Sequence, residues 1–112
     1  MKYLTGFLAI FAMVISIAVI PAAAQSVGDN YKSKCQMCHG ATGIGDTPMG
    51  KKLNVNDFHS AEVQKKTDDQ LFKAIKEGVN SSGKLVMPAY NGKLPDEQIR
   101  DLAKYSRDLG KK

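Results

Sequence analysis

Two cysteines three residues apart, with a histidine directly after the second, set the strongest limit on the structure of this chain. They form the pentapeptide Cys35-Gln36-Met37-Cys38-His39, and the 112-residue sequence has no other cysteine. A disulfide between Cys35 and Cys38 would close a loop too short to remove much entropy from the unfolded chain. The pattern is instead typical of a site where haem is attached covalently to a protein.

Each residue type in this motif has a chemical reason. On one helical turn, the thiols of Cys35 and Cys38 can each add across a vinyl group of the same haem, which gives two thioether bonds. The imidazole of His39 is then placed to coordinate the iron. Its other ring nitrogen needs a hydrogen-bond acceptor, for which we expect the carbonyl of Pro48 or of a neighbouring residue. The sequence therefore predicts one haem c, with its iron, per chain.

Three other interpretations of the motif stay open at this point. A zinc site would need two further ligands, yet only His39 and His59 remain, and His39 lies too close to Cys38 for the usual spacing of zinc ligands. A thioredoxin-like dithiol belongs to a βαβ context, which an all-α chain does not provide. The last alternative is a structural disulfide beside an incidental histidine.

The N-terminal segment has the pattern of a secretory signal peptide. Lys2 is followed by a 17-residue apolar run over residues 4–20, and three alanines end at Ala24. We expect cleavage after Ala24, which divides the chain into a signal peptide, residues 1–24, and one exported, periplasmic domain, residues 25–112. The alternative is an uncleaved membrane anchor, because the apolar run approaches the roughly 18–20 residues that a membrane-spanning helix needs.

The charge of the domain is mildly basic. Lys2 is the only one of the 16 lysines and arginines before residue 25, so 15 basic residues face 11 acidic ones, a net charge of about +4. The basic residues are scattered, without an arginine-rich segment, so nucleic-acid binding has little support. The sequence is compatible with a basic face toward an acidic protein partner, and equally with a charged surface that only keeps the protein soluble.

The remaining pattern predicts one all-α domain. Tyr31 lies four residues before Cys35, which suits one inner face of a helix. Thr67, with Gln70 three residues later, has the pattern of an N-terminal capping box. No stretch alternates apolar and polar residues as a half-buried strand does. We therefore expect three to four helices with loops wrapped around the haem: helices over residues 27–38, from Thr67 to Gly78 and from Pro95 to Gly110, and loops over residues 40–57 and 80–94.

The second iron ligand has to come from a methionine or from the other histidine. Met87 is the preferred candidate, since it lies in a loop between two predicted helices, far enough from His39 to return over the opposite face of the haem. Met37 lies inside the attachment motif. Met49 is expected to pack against the apolar edge of the haem. His59 is expected to be a solvated loop histidine, and bis-histidine ligation is the alternative.

These features resemble the small class I monohaem c-type cytochromes, exported bacterial proteins, over nearly all of residues 26–112. The matching segments are Tyr31 four residues before Cys35, the attachment motif followed by Gly40, Met87-Pro88-Ala89-Tyr90, and Leu102-Ala103-Lys104-Tyr105.

The resemblance implies a cytochrome c-like fold in which the first and last helices cross while a third helix and the loops close around the haem. Tyr31 would meet Leu102 and Tyr105 at the crossing. The family usually has a glycine four residues before this aromatic residue, where this chain has Val27 followed by Gly28. The close contact between the two helices is therefore expected to shift along the chain.

With His39 and Met87 both bound to iron, no coordination position is open to a substrate, so we expect a monomeric electron-transfer protein and not an enzyme. Its partners would be redox proteins with an acidic docking face. Two alternatives remain, a haem peroxidase or sensor with an open or labile sixth position, and a membrane-anchored subunit of a respiratory complex. The expected rim charges near the attachment site are Lys34, Lys51, Lys52 and Lys84.

Overall fold

A computed structural model describes residues 15–16 and 26–112 of the chain. The predicted signal peptide, residues 1–24, therefore lies almost entirely outside the described residues. In the described part of the chain, no helix combines the length and the apolar character needed to cross a membrane.

Helices make up most of residues 26–112, as the sequence predicts, and a short antiparallel hairpin accompanies them. In chain order the elements are α1 (Val27–Lys34), α2 (Gln36–His39), α3 (Pro48–Leu53), α4 (Ala61–Gln64), α5 (Asp68–Glu77), β1 (Val79–Ser81), β2 (Lys84–Met87) and α6 (Asp96–Leu109). The predicted helices correspond to the three longest, α1, α5 and α6. Helix α3 lies in the predicted loop over residues 40–57, and α4 lies in a segment for which no element was predicted.

The first and last helices cross at the centre of the core. Tyr31 of α1 and Ile99 and Leu102 of α6 are almost completely buried there. The rings of Tyr31 and Tyr105 lie with their centroids 5.0 Å apart, which confirms the predicted contact. Gly28 does not form the close helix contact, because nothing lies within 4 Å of the position of an added Cβ. Burial of a side chain such as Leu102 contributes about 1.5–3 kcal/mol to folding.

The predicted start and end of α5 are confirmed. Thr67 is the N-cap, and its side chain and that of Gln70 form both hydrogen bonds of a capping box. Gly78 follows the helix with a φ of 77°, a conformation that glycine adopts without steric cost. The helix is amphipathic, and Phe72 and Ile75 are its buried residues. They join the core that α1 and α6 form.

The segment after Gly78 differs from the prediction of a loop over residues 80–94. Strands β1 and β2 pair in an antiparallel register, with Val79 opposite Met87 and Ser81 opposite Lys84. The turn residues Ser82 and Gly83 both have positive φ, as a two-residue hairpin turn of type I′ requires. The hairpin carries Met87 back toward the attachment motif.

The backbone around the motif also differs from the single helix predicted over residues 27–38. Cys35 separates α1 from α2, with φ −116° and ψ −34°. Pro95 precedes α6 as its N-cap and does not form its first turn. Gly110 ends α6, as predicted.

Candidate functional site

One cavity of about 290 Å³ brings the predicted site residues together. Cys35, Cys38, His39 and Met87 all line it, although Met87 comes from a different element of the chain. The rest of the wall is mainly apolar and is contributed by the segment after α3, by α4, α5, the hairpin and α6. The apolar wall residues are Leu53, Val55, Phe58, Val63, Leu71, Ala74, Ile75, Val79, Val86, Pro88 and Ala103.

The two cysteines are separate thiols, so the alternative of a structural disulfide finds no support. Cys35 is buried and Cys38 half-buried. Burial raises the pKa of the Cys35 thiol to about 11, against the lowering effect of the Lys34 charge, and Cys38 raises it further. Both cysteines are free and line the cavity, as covalent attachment of a haem requires. No group of three or more His, Cys, Asp or Glu residues in the described chain could hold a metal ion, which leaves the zinc interpretation without ligands.

His39 ends α2 and lies against an aromatic ring. Its imidazole stacks on Phe58, with ring centroids 4.7 Å apart and an angle of 29° between the planes. Burial lowers the pKa of His39, which favours the neutral form that can bind a metal. Its Nδ1 is buried and has no hydrogen-bond partner among the described residues. The expected hydrogen bond, to the carbonyl of Pro48 or of a neighbouring residue, is therefore not formed.

Helix α3 packs against the backbone of the attachment motif. The hydroxyl of Thr47 donates a hydrogen bond to the carbonyl of Cys38 over 2.8 Å and accepts one from the amide of Gly50 over 2.9 Å. An added Cβ at Gly50 would overlap the carbonyl oxygen of Cys38. The Tyr31 hydroxyl donates to the carbonyl of Gly40 over 2.6 Å. These contacts fix the motif against both α3 and α1.

Met87 is held by contacts on both sides of its loop. An added Cβ at Gly78 would lie 2.6 Å from the carbonyl oxygen of Met87. The Tyr90 hydroxyl donates to the carbonyl of Lys34 over 3.1 Å, which ties this loop to the end of α1. The Tyr90 amide donates to the carbonyl of Ile75 over 3.1 Å. The loop after β2 is therefore anchored to both α1 and α5.

The other candidate ligands lie elsewhere. Met37 is 73% exposed and Met49 is 37% exposed, and neither lines the cavity, so the expected packing of Met49 against the haem edge is not seen. His59 forms a 2.7 Å contact with Asp57 through Nδ1, and its Nε2 lies 3.2 Å from the carbonyl oxygen of Lys112. Met87 is thus the one methionine that lines the cavity in the described chain.

The residues fit a covalently held haem. Two unpaired thiols, a neutral imidazole and a thioether lie on one apolar cavity, and these are the donor types that attach haem c and ligate its iron. Sequence reasoning did not identify Phe58, which lines the cavity and stacks on His39. The only local signal for it is a single aromatic residue within a polar segment, Asn54-Val55-Asn56-Asp57-Phe58.

Of the lysines expected at the rim, Lys34 lines the cavity, and so does Lys66, which the sequence did not indicate. Lys51, Lys52 and Lys84 are exposed but do not line it. Two cationic side chains therefore lie at the cavity itself.

Comparisons with known proteins agree with this geometry. The family model described as cytochrome c oxidase, cbb3-type, subunit III matches residues 22–105. The solved structure of the KustC0563 c-type cytochrome is similar with a TM-score of 0.63 and 26% sequence identity, over 76% of this chain and 98% of that one. A mutant of the same cytochrome gives a TM-score of 0.64 and 27% identity, over 76% of this chain and 99% of that one. No curated protein matches the chain.

Proposed function

The chain belongs to the family of cytochrome c domains described as cytochrome c oxidase, cbb3-type, subunit III, and we propose that it is a periplasmic electron-transfer protein whose haem iron is held by His39 and Met87. As a c-type cytochrome it binds haem c covalently and takes part in haem-based electron transfer. The predicted signal peptide supports the periplasmic location, and the presence of His39 and Met87 on one cavity wall supports the ligand pair.

The observation that carries the proposal is the position of Met87. It shares the cavity wall with His39, Cys35 and Cys38, whereas Met37, Met49 and His59 do not line the cavity. Because Met87 ends a paired strand and the loop after it is anchored to α1 and α5 through Tyr90, its thioether is available as the second iron ligand.

The bound haem would supply a one-electron couple between ferrous and ferric iron. The chain would hold it through Cys35 and Cys38, and would donate a nitrogen from His39 and a sulfur from Met87. The apolar walls, from Leu53 of α3 to Ala103 of α6, would limit the access of water to the bound haem. Thioether ligation and an apolar surrounding both raise the reduction potential of a haem relative to bis-histidine ligation in water.

Lysines support a partner with an acidic docking face. Lys34 and Lys66 lie at the cavity, and the domain as a whole is basic. Opposite charges on a partner would speed the encounter and orient it toward the cavity, an effect that weakens as ionic strength rises. We expect the protein to act as a monomer in such encounters.

The ligand pair is tested by the weak near-infrared absorption band that sulfur ligation gives to ferric haem. The exported wild-type protein should show the band, and Met87→Ala should lose it. Met49→Ala is the matched control, because Met49 is a partly exposed methionine that does not line the cavity, and it should keep the band. Retention of the band in Met87→Ala, or its absence from the wild-type protein, would refute the proposed ligation.

A second candidate function is favoured by the description of the family, which names an oxidase subunit. In that case the domain would pass electrons within a membrane-bound assembly, with residues 1–24 retained as an anchor. Fractionation of cells that express the full chain separates the two functions. Recovery of a processed haem protein in the soluble periplasmic fraction supports the diffusible carrier, and recovery only in the membrane fraction supports the subunit.

A further inference from the structure

Phe58 both lines the cavity and stacks on the imidazole of His39. The two rings stack at 4.7 Å between centroids, with their planes within 29° of parallel. Phe58 is half-buried and lines the same cavity as His39. A ring in this position restricts rotation of the imidazole about its own side-chain bonds, because any large rotation would bring the two rings into collision.

The position of Phe58 is itself fixed on several sides. Its amide donates to the carbonyl of Gly43 over 2.9 Å, and its carbonyl accepts a hydrogen bond from Nε2 of Gln64 over 2.8 Å. An added Cβ at Gly43 would lie 2.5 Å from Cδ2 of Phe58, and one at Gly110 would overlap the Phe58 carbonyl. Gly43, in the loop after α2, therefore makes room for the ring, and Gly110, after α6, makes room for the backbone of Phe58.

The second ring nitrogen of His39 has no hydrogen bond that would orient the ring among the described residues. An iron-bound histidine usually donates its second ring N–H to a carboxylate or carbonyl, which fixes the orientation and the basicity of the ligand. In this chain Nδ1 of His39 is buried without such an acceptor. The stacked ring of Phe58 is the aromatic contact that remains to hold the imidazole plane.

From this arrangement we infer that Phe58 is a positioning residue, which sets the orientation of the His39 imidazole toward the haem iron and so tunes the reduction potential. The inference rests on the proposed ligation by His39. Phe58 acts by orienting His39 and is not itself a ligand of the iron. Its apolar ring also keeps water from the ligand, which disfavours the more highly charged ferric state.

The test compares Phe58→Leu, which keeps an apolar side chain without a ring, with Phe58→Tyr, which keeps a ring able to stack. Two properties of the haem-loaded protein are measured, the reduction potential and the pattern of haem-methyl shifts in the proton NMR spectrum of the ferric form, which reports the orientation of the axial ligand plane. Phe58→Leu should lower the potential and change the methyl pattern, and Phe58→Tyr should stay close to wild type in both.

Phe72→Leu is the matched control. Phe72 is a buried phenylalanine of α5 that does not line the cavity, so its replacement should reduce stability and leave the methyl pattern unchanged. If Phe58→Leu does not yield folded protein, Phe58→Ile, which is also apolar, has no ring and offers no iron ligand, takes its place. An unchanged methyl pattern and potential in the ringless variant, or an equal change in Phe72→Leu, would overturn the inference.

The near-infrared band keeps this result separate from the proposed function. If the wild-type protein shows the band but Phe58→Leu leaves the potential and the methyl pattern unchanged, the role of Phe58 is refuted. The proposed ligation by His39 and Met87 then still stands. A wild-type protein without the band would refute the ligation itself.

Discussion

Gly78 lies where the fold leaves no room for a side chain. Its φ of 77° and the 2.6 Å between an added Cβ and the carbonyl oxygen of Met87 give it two separate requirements for glycine. Gly83 has a similar φ of 76°, but nothing lies within 4 Å of its Cβ position. A side chain at either position would strain the backbone, but only one at Gly78 would also overlap the Met87 loop.

We expect Gly78→Ala to lower the free energy of unfolding by about 1–3 kcal/mol more than Gly83→Ala, since overlap adds to the strain that both share. Denaturant unfolding of the two haem-loaded variants measures this difference. Gly78→Ala should also weaken the near-infrared band, because the overlap displaces Met87. Equal destabilisation of both variants, with an unchanged band, would mean that Gly78 does not position Met87.

Tyr90 joins the Met87 loop to α1 through one hydrogen bond. Replacement of Tyr90 by Phe removes the 3.1 Å bond to the carbonyl of Lys34 and keeps the ring. The free energy of unfolding should fall by about 0.5–1.5 kcal/mol. Tyr105→Phe is the control, because the Tyr105 hydroxyl forms no hydrogen bond within residues 26–112, and it should change stability less. A larger loss in Tyr105→Phe would contradict this assignment.

Among whole elements, those defined by interactions between residues close in sequence were predicted correctly, and those without such a local pattern were not. The start of α5 was predicted correctly because its capping box depends only on Thr67 and Gln70, three residues apart. The hairpin was missed because its strands have three and four residues and are largely exposed, so they leave no alternating pattern. The Ser82-Gly83 pair is a local sequence signal for a turn, and both residues have the positive φ of a tight turn in the structure.

The segment between α3 and α4 contacts the residues after α6 through charged and polar groups. His59 contacts Asp57 through Nδ1 and faces the carbonyl of Lys112 through Nε2. Hydrogen bonds from the backbone and side chain of His59 lower the pKa of Asp57. Desolvation partly opposes this lowering, and the charge of His59 adds to it. Because the folded-state pKa lies below the unfolded one, the carboxylate adds stability above the unfolded pKa, and this is lost as the pH falls through the folded pKa.

Asp57→Asn should therefore be less stable than wild type at neutral pH and approach it in strong acid. Thermal unfolding of both proteins across the acid range measures this convergence. Asp101→Asn, an exposed aspartate of α6 without an ion pair among the described residues, is the control and should remain close to wild type throughout. A stability difference for Asp57→Asn that persists unchanged in strong acid would contradict the role of this carboxylate.

At the scale of the molecule, the residues that attach the haem and ligate its iron were easier to predict than the residues that form the surrounding cavity wall. Cys35, Cys38 and His39 are adjacent in sequence, and Met87 was selected because the alternatives are too close to the motif or lie among polar residues. The structure brings all four to one cavity. Phe58 and Lys66 could not be predicted, because they reach the cavity through the packing of loops on α2 and α6, which has no local pattern.

Carbon monoxide binding to the reduced, full-length protein tests the central claim most directly, because it asks whether the iron has a free position. With His39 and Met87 both bound, the visible spectrum of the wild-type protein should be almost unchanged by carbon monoxide, and Met87→Ala should bind it readily. Rapid and complete binding by the wild-type protein would show an open or labile site and would contradict an electron carrier, in favour of a haem enzyme or sensor.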